Sequence, residues 1–362
     1  MTYVRNIWYA AAWADEVAPG ALFHRTYLEE PVLIYRLEDG TPVAMSNRCP
    51  HRFAPLHLGK LDGETVECPY HGLAFASDGR CVHNPHGSGF VPSAARVQTF
   101  PIVEKHEVLW IWMGDPKLAD ADRIVDYNYL TDHVKWTIIR GYMNLKANYE
   151  IVIDNLTDLS HAPILHPVLE HRDVSRGKFK LTRDGDTAKT HNWVPGTVPP
   201  PFFEMLPQTQ AIKDEHGLVD HWQDMEYAPP GCMNTLYGIT RRGAPREEGL
   251  MTLNPNLVTP ETSSSSHYFY AGVRNFGLGD ERMSEAFRVA YAHAFEHEDR
   301  PMVEGVQAMM GSRTLDEMKP ILLVNDGASV HARRVLQRMR EDETASPARG
   351  RAAEPAIALE MR

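Results

Sequence analysis

Two short stretches pair one cysteine with one histidine in the same order, Cys49-Pro50-His51 and Cys68-Pro69-Tyr70-His71. Each arm offers a thiolate and an imidazole. A tetrahedral zinc site also uses two Cys and two His, but its usual spacing pairs Cys with Cys and His with His. Mixed pairs suit a two-iron cluster, because each arm can give its Cys to one iron and its His to the other. Pro50 and Pro69 stiffen the arms, and Gly72 lets backbone come close to a sulfur.

Two His in place of two Cys on one iron is the ligand set of a Rieske 2Fe–2S centre. Neutral imidazole leaves the cluster less negative, so it takes up an electron more readily. Potentials then lie at roughly −150 to +300 mV instead of near −400 mV. The plainer alternatives are a zinc site or two unrelated Cys/His pairs.

A second set of ligand-type residues follows in Asp154-Asn-Leu-Thr-Asp158-Leu-Ser-His161-Ala-Pro163-Ile-Leu-His166. On a helix, positions 154, 158 and 161 share one face. His166 would swing off that face, but Pro163 disrupts the bond to the carbonyl of residue 159 and lets the helix end or widen. Both imidazoles can then converge. Two His and one carboxylate, with the remaining positions open, form the facial triad of non-haem Fe(II) oxygenases. The carboxylate stays open on spacing alone: Asp154, Asp158, Glu296, Glu298, Asp299 and Glu304 all qualify. Asp158 is so close to His161 that it also suits orienting the ring. By itself His-x4-His is a weak signal, and an ordinary histidine pair is the bland reading. Behind the cluster motif it becomes credible.

The elements that must position these residues divide the chain in two. The chain has 362 residues, which favours two domains. Strand-like runs broken by glycine turns, among them Pro31–Leu37, Val43–Met45, Thr65–Glu67 and Val108–Trp112, predict a small antiparallel domain over 1–120 with the cluster on two loop tips. In the second part, 121–340, apolar spacing predicts a long helix over Tyr142–Leu165. Mostly β structure is expected over 175–275, with helical periodicity again over 281–311 and 320–340. The tail 341–362 has no apolar face and is expected to be mobile.

The 37 Lys+Arg against 48 Asp+Glu give a net charge of −11, without a basic run, which argues against nucleic acid or an anionic membrane as main partner. No apolar run reaches transmembrane length, and the N-terminus has no secretory pattern. With four Cys, two of them in the cluster arms, no disulfide framework is expected, and the cytoplasm follows. No Gly-x-Gly-x-x-Gly follows a strand, so electrons have to come from a separate reductase.

The chain resembles the oxygenase components of Rieske non-haem iron monooxygenases, in particular the vanillate and dicamba O-demethylase group, over residues 3 to 340. The resemblance rests on Cys49-Pro-His-Arg-Phe-Ala-Pro55, Cys68-Pro-Tyr-His-Gly-Leu73, Val82-His-Asn-Pro-His-Gly87, Asp154-Asn-Leu156 and Arg274-Asn-Phe-Gly277. It implies an α+β fold, in which an antiparallel β cluster domain precedes a catalytic domain whose curved antiparallel sheet wraps a long helix. It implies cluster ligands Cys49, His51, Cys68 and His71 and iron ligands His161, His166 and Asp299. Asp158 matches the family's bridging aspartate, which links one subunit's cluster to the next subunit's iron in a head-to-tail homotrimer. Asn234 and Asn256 are candidate substrate contacts, and Tyr268, Phe269 and Tyr270 candidate pocket walls. Asn256 stands where dicamba-type enzymes carry His.

The expected activity is O-demethylation of a methoxylated aromatic acid such as vanillate. It would consume O2 and electrons delivered from NAD(P)H through a flavin and iron–sulfur reductase, with or without a ferredoxin, and release formaldehyde. Ring dihydroxylation, N-demethylation or alkyl hydroxylation would use the same machinery. A Rieske electron carrier without substrate is disfavoured by the more than 200 residues that follow the cluster arms. A zinc-stabilised binding module is the reading of a different class.

Overall fold

Runs of β-branched and aromatic residues between glycine turns pair as antiparallel strands in the first third of the computed structural model, which describes residues 3–166 and 177–345. Two compact units divide at Arg123/Ile124, with the chain from Arg340 grouping with the first. The expected tail lies outside the described residues from 346 onward, but 341–345 are helical.

The first unit contains β1 (Trp8–Trp13), β2 (Phe23–Tyr27), β3 (Glu30–Arg36), β4 (Pro42–Ser46), β5 (Lys60–Asp62), β6 (Thr65–Glu67), β7 (Ala74–Phe75), β8 (Cys81–His83), β9 (Thr99–Phe100), β10 (Ile102–Lys105) and β11 (Val108–Trp112). They form three sheets, ordered β1-β11-β10, β2-β3-β4-β9 and β5-β6-β7-β8. Leu33, Tyr35, Met45, Leu56, Val66 and Phe75 pack into one core that also encloses Cys49 and Cys68. The two arms emerge from this core, one after β4 and the other between β6 and β7.

The second unit is built on one antiparallel sheet of seven strands: β12 (Thr137–Leu145), β13 (Lys178–Asp184), β14 (Thr187–Thr197), β15 (Val219–Ala228), β16 (Cys232–Thr240), β17 (Leu250–Thr262) and β18 (Ser265–Arg274). Their spatial order is β12-β18-β17-β16-β15-β14-β13. Gly141 on β12 faces Tyr270 on β18, and a Cβ there would lie 2.1 Å from the Tyr270 ring, so glycine makes room for the tyrosine. The helices are α1 (Tyr149–Thr157), α2 (Ala162–Leu165), α3 (Pro201–Glu204), α4 (Glu281–Ala292), α5 (Arg300–Met310), α6 (Leu315–Met318) and α7 (Gly327–Ala345). A π-helical segment, His293–Asp299, joins α4 to α5.

The long helix expected over Tyr142–Leu165 is not formed. Tyr142–Leu145 end strand β12, in register with β18. Asn148 then caps α1 by accepting from the Glu150 N–H at 2.9 Å. Helix α1 packs on β15, β17 and α5, and it stops at Asp158, whose backbone is extended (φ −109°, ψ 92°). Sheet pairing outcompeted the helical spacing on one side, and two polar caps cut it on the other. Pro163 does not cause the break. It sits in the first turn of α2, where its missing N–H costs nothing.

Candidate metal centres and the cavity beside them

The two cluster arms are the same turn made twice. The Cys49 N–H donates to the Ala54 carbonyl (2.9 Å), and the Phe53 N–H returns to the Cys49 carbonyl (2.8 Å). In the second arm the Cys68 N–H donates to Leu73 (2.8 Å), and the Gly72 N–H returns to Cys68 (3.0 Å). The return residue is left-handed in both, with φ 57° at Phe53 and 70° at Gly72. At Gly72 a Cβ would also meet Pro85 at 3.0 Å, so glycine serves conformation and space together.

This turn points both thiols inward and both imidazoles outward. Cys49 and Cys68 are each 1% exposed, His51 is exposed and His71 is half-buried. The imidazoles meet edge to face with ring centroids 4.5 Å apart. Burial, and then the neighbouring Cys68 thiol, push Cys49 up to about 11, while backbone N–H groups of His51 and Arg52 pull the other way. His71 is held below the usual imidazole range by desolvation and by the charges of His51, Arg52 and His86. Paired buried thiols and paired imidazoles are the donor set of a 2Fe–2S cluster with two distinct irons. Replacing His51 by Cys adds negative charge to the outer iron. The reduction potential is expected to fall by on the order of 200 mV or more in redox titration, toward all-cysteine clusters.

In the second unit, His161, His166 and Asp299 converge, with one ligand atom from each within 4.8 Å of the others. His161 Nε2 lies 3.5 Å from Asp299 Oδ1, and His166 Nε2 lies 3.5 Å from Asp299 Oδ2. Each ring is fixed from behind. His161 Nδ1 donates to the Asp158 carbonyl at 2.6 Å, and His166 Nδ1 donates to Glu298 Oε2 at 2.8 Å. Both Nε2 lone pairs therefore face the point where Asp299 also aims, and the donor set fits one octahedral cation with open positions. Asn155 donates to Asp299 Oδ1 at 3.3 Å. Burial raises the Asp299 carboxyl, while His166 and His161 pull it back.

The other carboxylates take different places. Asp154 pairs with Arg333, and burial pushes its carboxyl up to about 7. Glu304 accepts from the Lys146 N–H at 3.0 Å. Asp158 does not share a helix face with Asp154 and His161, because the chain is extended there. Its carboxylate accepts from the Ser160 N–H at 3.0 Å, and its carbonyl, not its side chain, orients His161. Glu298 is the orienting carboxylate, which spacing alone could not tell from a ligand. Glu298→Gln should weaken iron retention about 10- to 100-fold in a chelator competition, with the cluster spectrum unchanged.

The ligand group forms one end of a cavity of about 560 Å³. Strand register builds one wall: Gln223 pairs with Tyr237, Tyr237 with Thr252, and Thr235 with Asn254 across β15, β16 and β17. Every second residue of β17, namely Thr252, Asn254 and Asn256, faces the cavity. Met283, Phe287, Ala290 and Ala294 line it from α4 and the segment after it. Of the two candidate substrate contacts, Asn256 lines the cavity. Asn234 does not, since the same alternation that turns Thr235 and Tyr237 inward sends Asn234 to the opposite face. Tyr268, Phe269 and Tyr270 do not line the cavity either. Tyr268 and Tyr270 stand behind it against Phe295, with ring centroids at 5.4 and 4.6 Å.

Residues 7–101 match the Rieske [2Fe-2S] domain family, and residues 145–342 match the vanillate O-demethylase oxygenase C-terminal domain family. The chain is 40% identical over 337 residues to the oxygenase component of a chloroacetanilide N-alkylformylase of Rhizorhabdus wittichii, covering 92% of this chain and 95% of that protein. It is 35% identical to the dicamba O-demethylase oxygenase component of Stenotrophomonas maltophilia, covering 95% and 100%. A crystal structure of dicamba monooxygenase bound to dicamba superposes with a TM-score of 0.87 at 34% identity, covering 95% of this chain and 100% of that one. No helix among the described residues is long and apolar enough to cross a membrane. With both donor sets built and both domain families matched, the chain belongs to the oxygenase components of Rieske non-haem iron monooxygenases related to the vanillate and dicamba O-demethylases, which carry a 2Fe–2S cluster and a mononuclear iron and draw electrons from a separate reductase.

Proposed function

We propose that this chain oxidises the alkyl carbon next to an oxygen or nitrogen on an aromatic compound and so removes that alkyl group. The observation that carries the reading is the His161, His166, Asp299 group at one end of a largely apolar cavity. Similarity to a chloroacetanilide N-alkylformylase and a dicamba O-demethylase supports loss of N- or O-bound carbon. For a methyl ether the balance is aryl–OCH3 + O2 + 2 electrons + 2 protons giving aryl–OH, formaldehyde and water. The hydroxylated methyl carbon is a hemiacetal, whose C–O bond breaks as its hydroxyl loses a proton.

Cys49, His51, Cys68 and His71 are assigned to the cluster, and His161, His166 and Asp299 to the iron. Iron held there would supply O2 activation, and the cluster would supply single electrons. The chain's own groups do the positioning. The Asp158 carbonyl and the Glu298 carboxylate keep both Nε2 atoms unprotonated toward the metal. The β15–β17 wall and α4 hold the aromatic ring in an environment that excludes bulk water. The family resemblance supports a head-to-tail homotrimer in the cytoplasm, with NAD(P)H as the distant electron source.

The test supplies a surrogate reductase and follows formaldehyde and O2 over a panel of methoxylated and N-alkylated aromatics. Stoichiometric aldehyde and dealkylated product are expected. A ring diol from every accepted substrate, with the alkyl group retained, would reject the proposal.

A further inference from the structure

On the oxygenase reading above, the lining of the cavity limits which substrates it accepts. Five lining residues have an acidic or basic side chain: His161, His166 and Asp299 at the metal end, and Asp280 with Arg282. The last two are both exposed, at the N-terminus of α4. Between these ends the polar lining is neutral; its two asparagines are occupied, and the buried Tyr237 hydroxyl has no hydrogen-bond partner among the described residues. Asn256 Oδ1 accepts from the Tyr268 hydroxyl at 2.7 Å, and its amide donates to the Asn254 carbonyl at 2.7 Å. The Asn254 amide donates to the Thr235 carbonyl at 2.9 Å, and its oxygen takes the Tyr291 hydroxyl. Burial pushes Tyr237 and Tyr291 above the usual phenol range, so both stay uncharged. At the metal end the carboxylates of Asp299 and of Glu298 behind His166 would offset an iron(II) held there, leaving no excess positive charge to attract an anion.

A carboxylate entering this volume loses its water and meets no protein cation beyond Arg282 at the exposed rim, a costly desolvation. Turning the carboxylate toward the iron would leave the alkyl carbon at the wrong end. A neutral ring with an ether, amide or ester substituent meets apolar contacts from Phe202, Leu206, Met283 and Phe287 and loses little hydration. We propose that the site takes an uncharged aromatic ether or amide and discriminates against the corresponding carboxylic acid. The aromatic acid expected from the sequence is the competing substrate that the test separates.

The experiment uses matched probes, 4-methoxybenzamide and methyl 4-methoxybenzoate against 4-methoxybenzoate, with the holoprotein. Equilibrium binding is measured anaerobically by calorimetry, and KM is measured with a surrogate reductase. The neutral members are expected to bind at least about tenfold more tightly than the acid at about pH 7.5, where the acid is ionised. The gap should narrow as the acid becomes protonated at lower pH. Acid binding equal to or tighter than that of the amide overturns the proposal, and loss of that preference in Arg282→Gln would place the carboxylate at the rim. Binding of no member overturns it as well. Tight neutral binding without oxidation leaves the substrate class standing and sinks the dealkylation reading, whereas oxidation with a lower KM for the acid does the reverse.

Discussion

Replacing His166 by alanine is expected to abolish turnover, by at least about a thousandfold, while the cluster's EPR signal and reduction potential stay as in wild type. The imidazole is 5% exposed and held from behind by Glu298 at 2.8 Å, so its loss removes a preorganised donor and leaves the half-buried Glu298 carboxylate without that bond. His161→Ala should behave alike, with a smaller stability cost, because its partner is a backbone carbonyl. Asp299→Ala should also lose iron. The cluster arms lie on turns of the first unit, where none of these side chains takes part in the packing core. Iron analysis beside cluster absorbance checks all three variants. Full iron with normal activity in Asp299→Ala would return the ligand role to another carboxylate.

How much of this was legible in the sequence depended on how local the information was. The cluster arms were readable because all four donors lie within a short stretch of paired turns. The Gly72 conformation could be anticipated from residue type, but Phe53 at φ 57° could not, since a phenylalanine rarely adopts it. The His161/His166 pair was visible, but its geometry was misassigned. Helical spacing over 142–165 is a weak preference, and it lost to the pairing of Tyr142–Leu145 with β18 and to caps at Asn148 and Asp158. Asp299 arrives from 133 residues beyond His166 on a π-helical segment, and spacing offers no way to choose it over Glu298. Alternation on β16 and β17 was present in the sequence, but which face meets the cavity depends on sheet packing. Asn256 and Asn234 were equal candidates until that face was known.

Asp158→Asn is expected to leave both metals bound and the cluster reducible, while electron delivery to the iron falls by at least about a hundredfold. The substitution is unusually clean in this fold. Asparagine caps as well as aspartate, so the bond from Ser160 N–H, at 3.0 Å in the wild type, survives. The contact that orients His161 comes from the residue 158 carbonyl, which the change does not touch. Iron retention therefore should not move, unlike that in Glu298→Gln. What disappears is the negative charge of a half-buried carboxylate whose second oxygen the Ser160 cap leaves available. In the trimer that the family resemblance implies, that oxygen would accept from the partner subunit's His71, and an amide placed there would present N–H to N–H. The plain alternative is that Asp158 only caps the short helical turn that carries His161. The two roles separate in a single turnover, with the variant fully reduced, mixed with substrate and O2, and its cluster reoxidation followed by absorbance. Reoxidation at the wild-type rate would reduce Asp158 to its cap. A slow phase with normal iron content and normal cluster potential would place its charge in the path of the electron.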